Sequence, residues 1–262
     1  MPTGGVDAIY ELWDDLADFG PMRSREALIH CMNRVSALIG AHNAVWLGAI
    51  RMARGDQAAR DPMSGWRMRA IEILHPALAN PRRTAAGMKD VEKWEPAPTT
   101  KAILAGVGRH RVFSLQSGMV DLEAYQKTEH YDFFFRQAGI KDRIWSLSPV
   151  NADTGSIFLF DRHEGGRFGP ESLDLVARTM RGLKAFHRQL LTSHGLGVSE
   201  TPLTPAEKRL VPELLTGGSE KEIAERLSLT PATAHQYAVG LYRKFGVRGR
   251  TEFMALWLRG QV

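Results

Sequence analysis

Cysteine is nearly absent. The 262 residues contain one, Cys31, so no disulfide can form within the chain and the usage fits a reducing compartment. No run of about 18 apolar residues occurs, which excludes a membrane-spanning helix and membrane partners. The opening MPTGGVDAIYELWDDL carries acids where a secretion signal has bases followed by an apolar stretch, so the expected location is the cytoplasm. A GxxxxGKS or GxxxxGKT phosphate loop is missing. Residues 1–120 contain no strand ending in paired acids, as a phosphorylatable receiver would, and Asp14-Asp15 lies in a helical stretch. The nine histidines are scattered singly, so neither a metal nor any other cofactor is expected, and His163-Glu164-Gly165-Gly166 reads as a loop. No nucleophile elbow or pair of catalytic acids is recognisable, and Cys31 sits on the apolar stretch of a helix. An enzyme is not expected.

What is present is 44% hydrophobic residues, enough for ordered cores, in a chain long enough for about two domains. Val6, Ile9, Leu12, Trp13 and Leu16 follow helical spacing, and a second helix is expected from an N-cap at Ser24 to Gly40. NAVWLGAIRM and GWRMRAIEILH read as strands around a turn-rich RGDQAARDPMSG. Residues 77–100 read as a Pro-punctuated loop or lid with a short helix. A helix near Lys101–Ala105 leads to the strand HRVFSL. Asp121 caps a helix expected to reach about Gln137, and RIWSLSPV and GSIFLFDR form a hairpin around NADT. A long helix is expected from Pro170 to about Ser193, with Leu173, Val176, Met180, Leu183, His187 and Leu190 along one stripe. This order predicts an α+β chain whose N-terminal part is an α/β/α sandwich with an antiparallel sheet, spanning 1–193. SHGLGVSETP supplies a linker at 194–202, and 203–262 form a second, all-α domain.

Charge is distributed unevenly. Residues 201–262 hold nine Lys/Arg against six Asp/Glu, a net +3, while the other 200 residues carry only +2. From Leu229 to Arg250 there is no acid at all. Around that segment the helix signals are strong. Thr204 with Glu207, and Ser219 with Glu222, form two capping boxes, and Thr230-Pro231 opens a third helix stopped by Gly246. Ala234, Ala238, Leu241 and Phe245 make one narrow apolar stripe, leaving Gln236, Val239 and Arg243 opposite. Thr233 and Lys244 lie on one flank of that outward face, His235 and Tyr242 on the other. Three short helices with tight turns meet the requirement of a helix-turn-helix. A reading helix must be free of carboxylates near phosphates.

The segment LTPAEKRLVPELLTGGSEKEIAERLSLTPATAHQYAVGLYRKFGVRGR resembles the LuxR-type helix-turn-helix. The resemblance rests on Leu203-Thr204-Pro205, Glu207, Gly218-Ser219, Lys221-Glu222-Ile223-Ala224, Leu227, Thr233, Lys244, Gly246-Val247 and Arg250. It implies a four-helix DNA-binding domain that works as a homodimer on double-stranded DNA, TEFMALWL being the last helix and part of the dimer contact, with RNA polymerase as a further partner. Lys221, Thr233 and Lys244 are the expected phosphate-facing residues, with Arg243 and Arg250 as further expected DNA-binding residues. His235, Gln236 and Tyr237, which depart from the family's usual residues, are the expected base readers. Gly240 and Glu220 depart too, each standing where Asn is common.

Such modules are usually joined to a sensor, and the helix and strand order ahead of this one is similar to GAF, PAS or autoinducer-binding domains. A quorum-sensing-like regulator controlled by a small-molecule effector is therefore expected. Trp46 is followed at Ile50 by an aliphatic residue where lactone receptors carry Tyr, so the lactone signature is incomplete. Trp46, Trp66, Tyr125, Tyr131 and Trp145 are the candidate ligand contacts, Trp46 and Trp66 foremost. The three consecutive rings Phe133 to Phe135 are not expected all to face inward from one helix. The alternative is a regulator without an effector, its first domain a dimerisation or protein-interaction scaffold.

Overall fold

The computed structural model describes residues 4–79, 96–196 and 203–258. Two helices open the chain, α1 (Gly4–Ala17) and α2 (Ser24–Ile39), joined by a 3-10 turn at Pro21–Arg23. Ser24 is not the N-cap that its hydroxyl suggested. It is the first residue of α2, and its Oγ donates back to the Pro21 carbonyl at 2.6 Å, closing the turn. Gly40 ends α2 at φ 65°, a left-handed conformation suited to glycine.

Five strands follow in chain order: β1 (Asn43–Arg51), β2 (Trp66–Ile73), β3 (Arg111–Ser114), β4 (Asp142–Pro149) and β5 (Thr154–Arg162). They form one sheet, order β2-β1-β5-β4-β3, with every neighbouring pair antiparallel. Short helices α3 (Gly55–Ala59), α4 (Pro76–Ala79) and α5 (Pro98–Leu104) lie between the strands. Most of the expected 77–100 loop, residues 80–95, lies outside the described residues.

Because side chains alternate along a strand, the sheet divides its residues between two cores. Ala44, Trp46, Ile50, Ile144, Phe158 and Phe160 pack against α1, α2 and the helices after β5. Val45, Leu47, Ala49, Trp145, Leu147, Ile157 and Leu159 face the opposite way. A bulge between Gly48 and Ala49, opposite Arg69, resets the parity of β2, so that Met68 faces the second core while Ala70 faces the first. This is the expected sandwich.

Two expected long helices are broken. Asp121 does cap a helix, accepting from Ala124 N, but α6 (Leu122–Tyr125) stops after four residues. Thr128 then caps α7 (Glu129–Tyr131), which opens into a π turn at Asp132–Arg136. The other helix divides at Leu183 into α8 (Pro170–Gly182) and α9 (Lys184–Ser193). Trp13 explains the break. Its indole N–H donates to the Thr179 carbonyl at 3.1 Å, the acceptor that Leu183 N would use in a continuous helix. Leu183 N turns to Met180 O instead, and the indole lies where a side chain on Gly182 would have to go.

The expected linker begins inside the fold. Leu196 is buried against Gly48, where a Cβ would collide with the leucine methyl. The rest of the linker, 197–202, lies outside the described residues. The C-terminal helices are α10 (Pro205–Leu214), α11 (Glu220–Arg226), α12 (Pro231–Lys244) and α13 (Arg250–Leu258). They enclose a separate small core around Leu210, Leu214, Ile223, Leu241 and Phe253. Both capping boxes form, and Thr230 Oγ1 accepts from Thr233 N at 3.1 Å.

Candidate functional site

Between the second face of the sheet and the α5 and α6–π segments lies a cavity of about 430 Å³, lined mainly by apolar side chains. Val45, Leu47, Leu147, Ile157 and Leu159 form its sheet wall, with Ile103, Leu104 and all three phenylalanines of the π turn opposite. Phe133, Phe134 and Phe135, in the π turn, all line this cavity, Phe135 buried and the other two half-buried. The expectation that they could not all face inward therefore fails.

Trp66 and Trp145 are in the cavity wall, Trp145 stacked on Phe113 at 5.1 Å. Trp66 is 8% exposed, and its indole N–H has no hydrogen-bond partner among the described residues. Buried donors left unmade cost about 1–3 kcal/mol, so this end of an otherwise apolar cavity is ready for an acceptor.

Tyr125 and Tyr131 stand behind the wall. The Tyr125 hydroxyl accepts from Thr99 Oγ1 at 3.3 Å and donates to His130 Nδ1 at 2.6 Å, so its polar tip is engaged internally. Burial pushes the tyrosine up to about 12 and the histidine down to about 4, keeping both neutral. Tyr131 stacks on Phe135 at 5.3 Å. Sequence reasoning passed over Arg143, a charged group in the cavity lining. It forks onto Asp161, its cross-strand neighbour, beneath Phe135 and Trp145. Burial works against its charge, but the charge and hydrogen bonds of Asp161 outweigh that and hold Arg143 above its ordinary pKa. Only the pairing of two strands shows this partnership.

Trp46 faces the other way. It is fully buried on the α2–α9 side, separated from Trp66 by the sheet. Its indole donates to Ser156 Oγ at 2.8 Å, Ser156 donates to His187 Nδ1 at 2.9 Å, and His187 Nε2–H donates to the Met180 carbonyl at 3.0 Å. Burial holds His187 down at about 4, so the ring is neutral and the chain of donors is internally consistent. The two foremost tryptophans are thus on opposite faces, as one-residue parity dictates.

In the C-terminal module, Ala234, Ala238, Leu241 and Phe245 of α12 enter the core, and His235, Gln236, Tyr237 and Arg243 are exposed. Lys221 is exposed on α11, and Thr233 is half-buried beside its cap. Two expected DNA-binding residues, Lys244 and Arg250, turn inward. Lys244 Nζ donates to Glu207 Oε2 at 2.6 Å, tying α12 to the capping box of α10. Arg250 Nε donates to Leu214 O at 2.8 Å, and its other nitrogens reach the Thr216 and Gly218 carbonyls. Its guanidinium closes the C-terminal end of α10, whose last carbonyls have no helical donors. His235 Nδ1 lies 3.2 Å from both carboxylate oxygens of Glu220.

Residues 201–256 match the family model described as bacterial regulatory proteins, luxR family. The module is a LuxR-family DNA-binding domain. No curated protein matches the chain. Among solved structures, SdiA in complex with octanoyl-rac-glycerol is similar at 12% identity and TM-score 0.50, over 99% of this chain and 96% of that one. At that identity the likeness is one of fold. Escherichia coli SdiA in another crystal form is similar at 14% identity and TM-score 0.48, over 96% of this chain and 95% of that one. The VqsR ligand-binding domain from Pseudomonas aeruginosa is 15% identical, with TM-score 0.45, over 72% of this chain and 98% of that domain. No described helix is long and apolar enough to cross a membrane.

Proposed function

We propose that this chain is a transcription regulator whose LuxR-family module reads duplex DNA through α12 and whose first domain is controlled by a small apolar effector held in the 430 Å³ cavity. The observation that carries the effector is the unpartnered Trp66 N–H at one end of that cavity. The fitting ligand has an aliphatic or aromatic body and a carbonyl or hydroxyl oxygen to accept from Trp66. The SdiA structure of similar fold holds octanoyl-rac-glycerol, a molecule of that chemistry. Control requires that the effector bind the active and inactive arrangements with different affinity. In this reading the protein acts as a homodimer in the cytoplasm, on half-sites about one helical turn, or a multiple, apart.

The experiment is a thermal-shift series on the full chain with acyl glycerols, acyl lactones, fatty acids and aromatic metabolites. A ligand at a hundred times its dissociation constant adds about 2.7 kcal/mol, or several degrees. Trp66→Phe keeps the ring and removes the donor, and should weaken the hit about tenfold. Equal affinity in the variant, or no shift from any compound, would count against an effector held by Trp66.

A further inference from the structure

The exposed face of α12 has no acid of its own, yet one carboxylate reaches it. Glu220, the first residue of α11, sits with both oxygens 3.2 Å from His235 Nδ1, and the two side chains remain 52% and 60% exposed. Gln236 and Tyr237 beside them are exposed and make no hydrogen bond from their side chains among the described residues. A carboxylate next to the DNA-facing helix weakens attraction to phosphate, so it is a poor general device for DNA affinity. An exposed ion pair also contributes little stability, about 0–1 kcal/mol. Its effect is on the imidazole. A carboxylate only accepts hydrogen bonds, so it fixes the ring proton on Nδ1 and leaves Nε2 of the neutral ring as an acceptor.

We infer that Glu220 and His235 act as one base-reading unit, in which Glu220 positions the ring and His235 Nε2 accepts from an exocyclic amino group, cytosine N4 or adenine N6, in the major groove. Guanine presents only the acceptors N7 and O6 there and is rejected at this position. The inference rests on the DNA-reading role proposed above and adds the chemistry of one position. Glu220 is a positioning residue, since it acts through His235.

The test is selection from a random-sequence duplex library by the full chain at pH 8.5, above the range in which histidine gains charge. His235→Ala identifies the position that His235 reads, through loss of preference there alone. The unmodified chain should favour adenine or cytosine over guanine at that position by about tenfold. Glu220→Lys replaces the acceptor by a donor, moves the ring proton to Nε2, and should turn the preference towards guanine while leaving other positions unchanged. Both residues are exposed, and thermal melts confirm that the variants fold. Identical preferences in all three proteins, or a guanine preference in the unmodified chain, would overturn the inference while leaving DNA reading intact. Failure of the unmodified chain to retain any duplex would instead remove the DNA-reading role and this unit with it.

Discussion

Arg250 distinguishes a phosphate contact from an internal clamp. Its guanidinium donates to Leu214 O at 2.8 Å and to the carbonyls of Thr216 and Gly218, at the point where α10 ends and the chain turns into α11. Each hydrogen bond from a charged donor is worth about 1.5–3 kcal/mol net, but three from one half-exposed group do not add fully. Arg250→Ala should therefore destabilise the module by about 2–4 kcal/mol. At about 1.4 kcal/mol per tenfold, amide exchange across residues 205–226 should rise about 30- to 700-fold, read by hydrogen exchange on the full chain. Arg250→Lys should recover little, because an ammonium cannot fork onto three carbonyls. Binding to random duplex should weaken only as folding does, with the salt slope unchanged. The reasoning is refuted if exchange stays at the wild-type rate while the slope falls by about 0.9, the signature of one lost phosphate contact.

His187 should make the first domain acid-sensitive. Its pKa drops from the ordinary 6.5 to about 4 on folding, so between those values the unfolded chain binds more protons. Stability is then complete above pH 6.5 and falls as pH drops towards 4, by about 3 kcal/mol in all, and urea midpoints of His187→Gln should show a shallower dependence. Cys31 is fully buried and its thiol is pushed up to about 12, so a thiol reagent should label it only after unfolding, and labelling of the native chain would contradict its placement. Lys208 of α10 is lowered by burial, while the Glu72 carboxylate stabilises its charge and Arg25 opposes it. Lys208→Glu would set two carboxylates together, so exchange across 20–28 should rise several-fold more than in Lys208→Met; equal behaviour would mean that the charge is immaterial.

Much of this protein is decided by contacts three or four residues apart, and those are legible in the sequence. Thr204 with Glu207 and Ser219 with Glu222 start helices wherever they occur, because the bonded groups are already neighbours along the chain. The acid-free outward face of α12 follows from 3.6-residue periodicity alone. The near-continuous apolar runs of β1 and β5 likewise mark strands buried on both faces, but they do not say which face holds a cavity. Tertiary structure decided what depends on distant partners. Trp13 divides a helix by taking the Thr179 carbonyl 166 residues away. The bulge opposite Arg69 and one residue of parity put Trp66 at the cavity and Trp46 in the core. Arg250 and Lys244 read as surface bases in the sequence, yet the ends of α10 lie within reach and have carbonyls and a carboxylate to satisfy, so both turn inward.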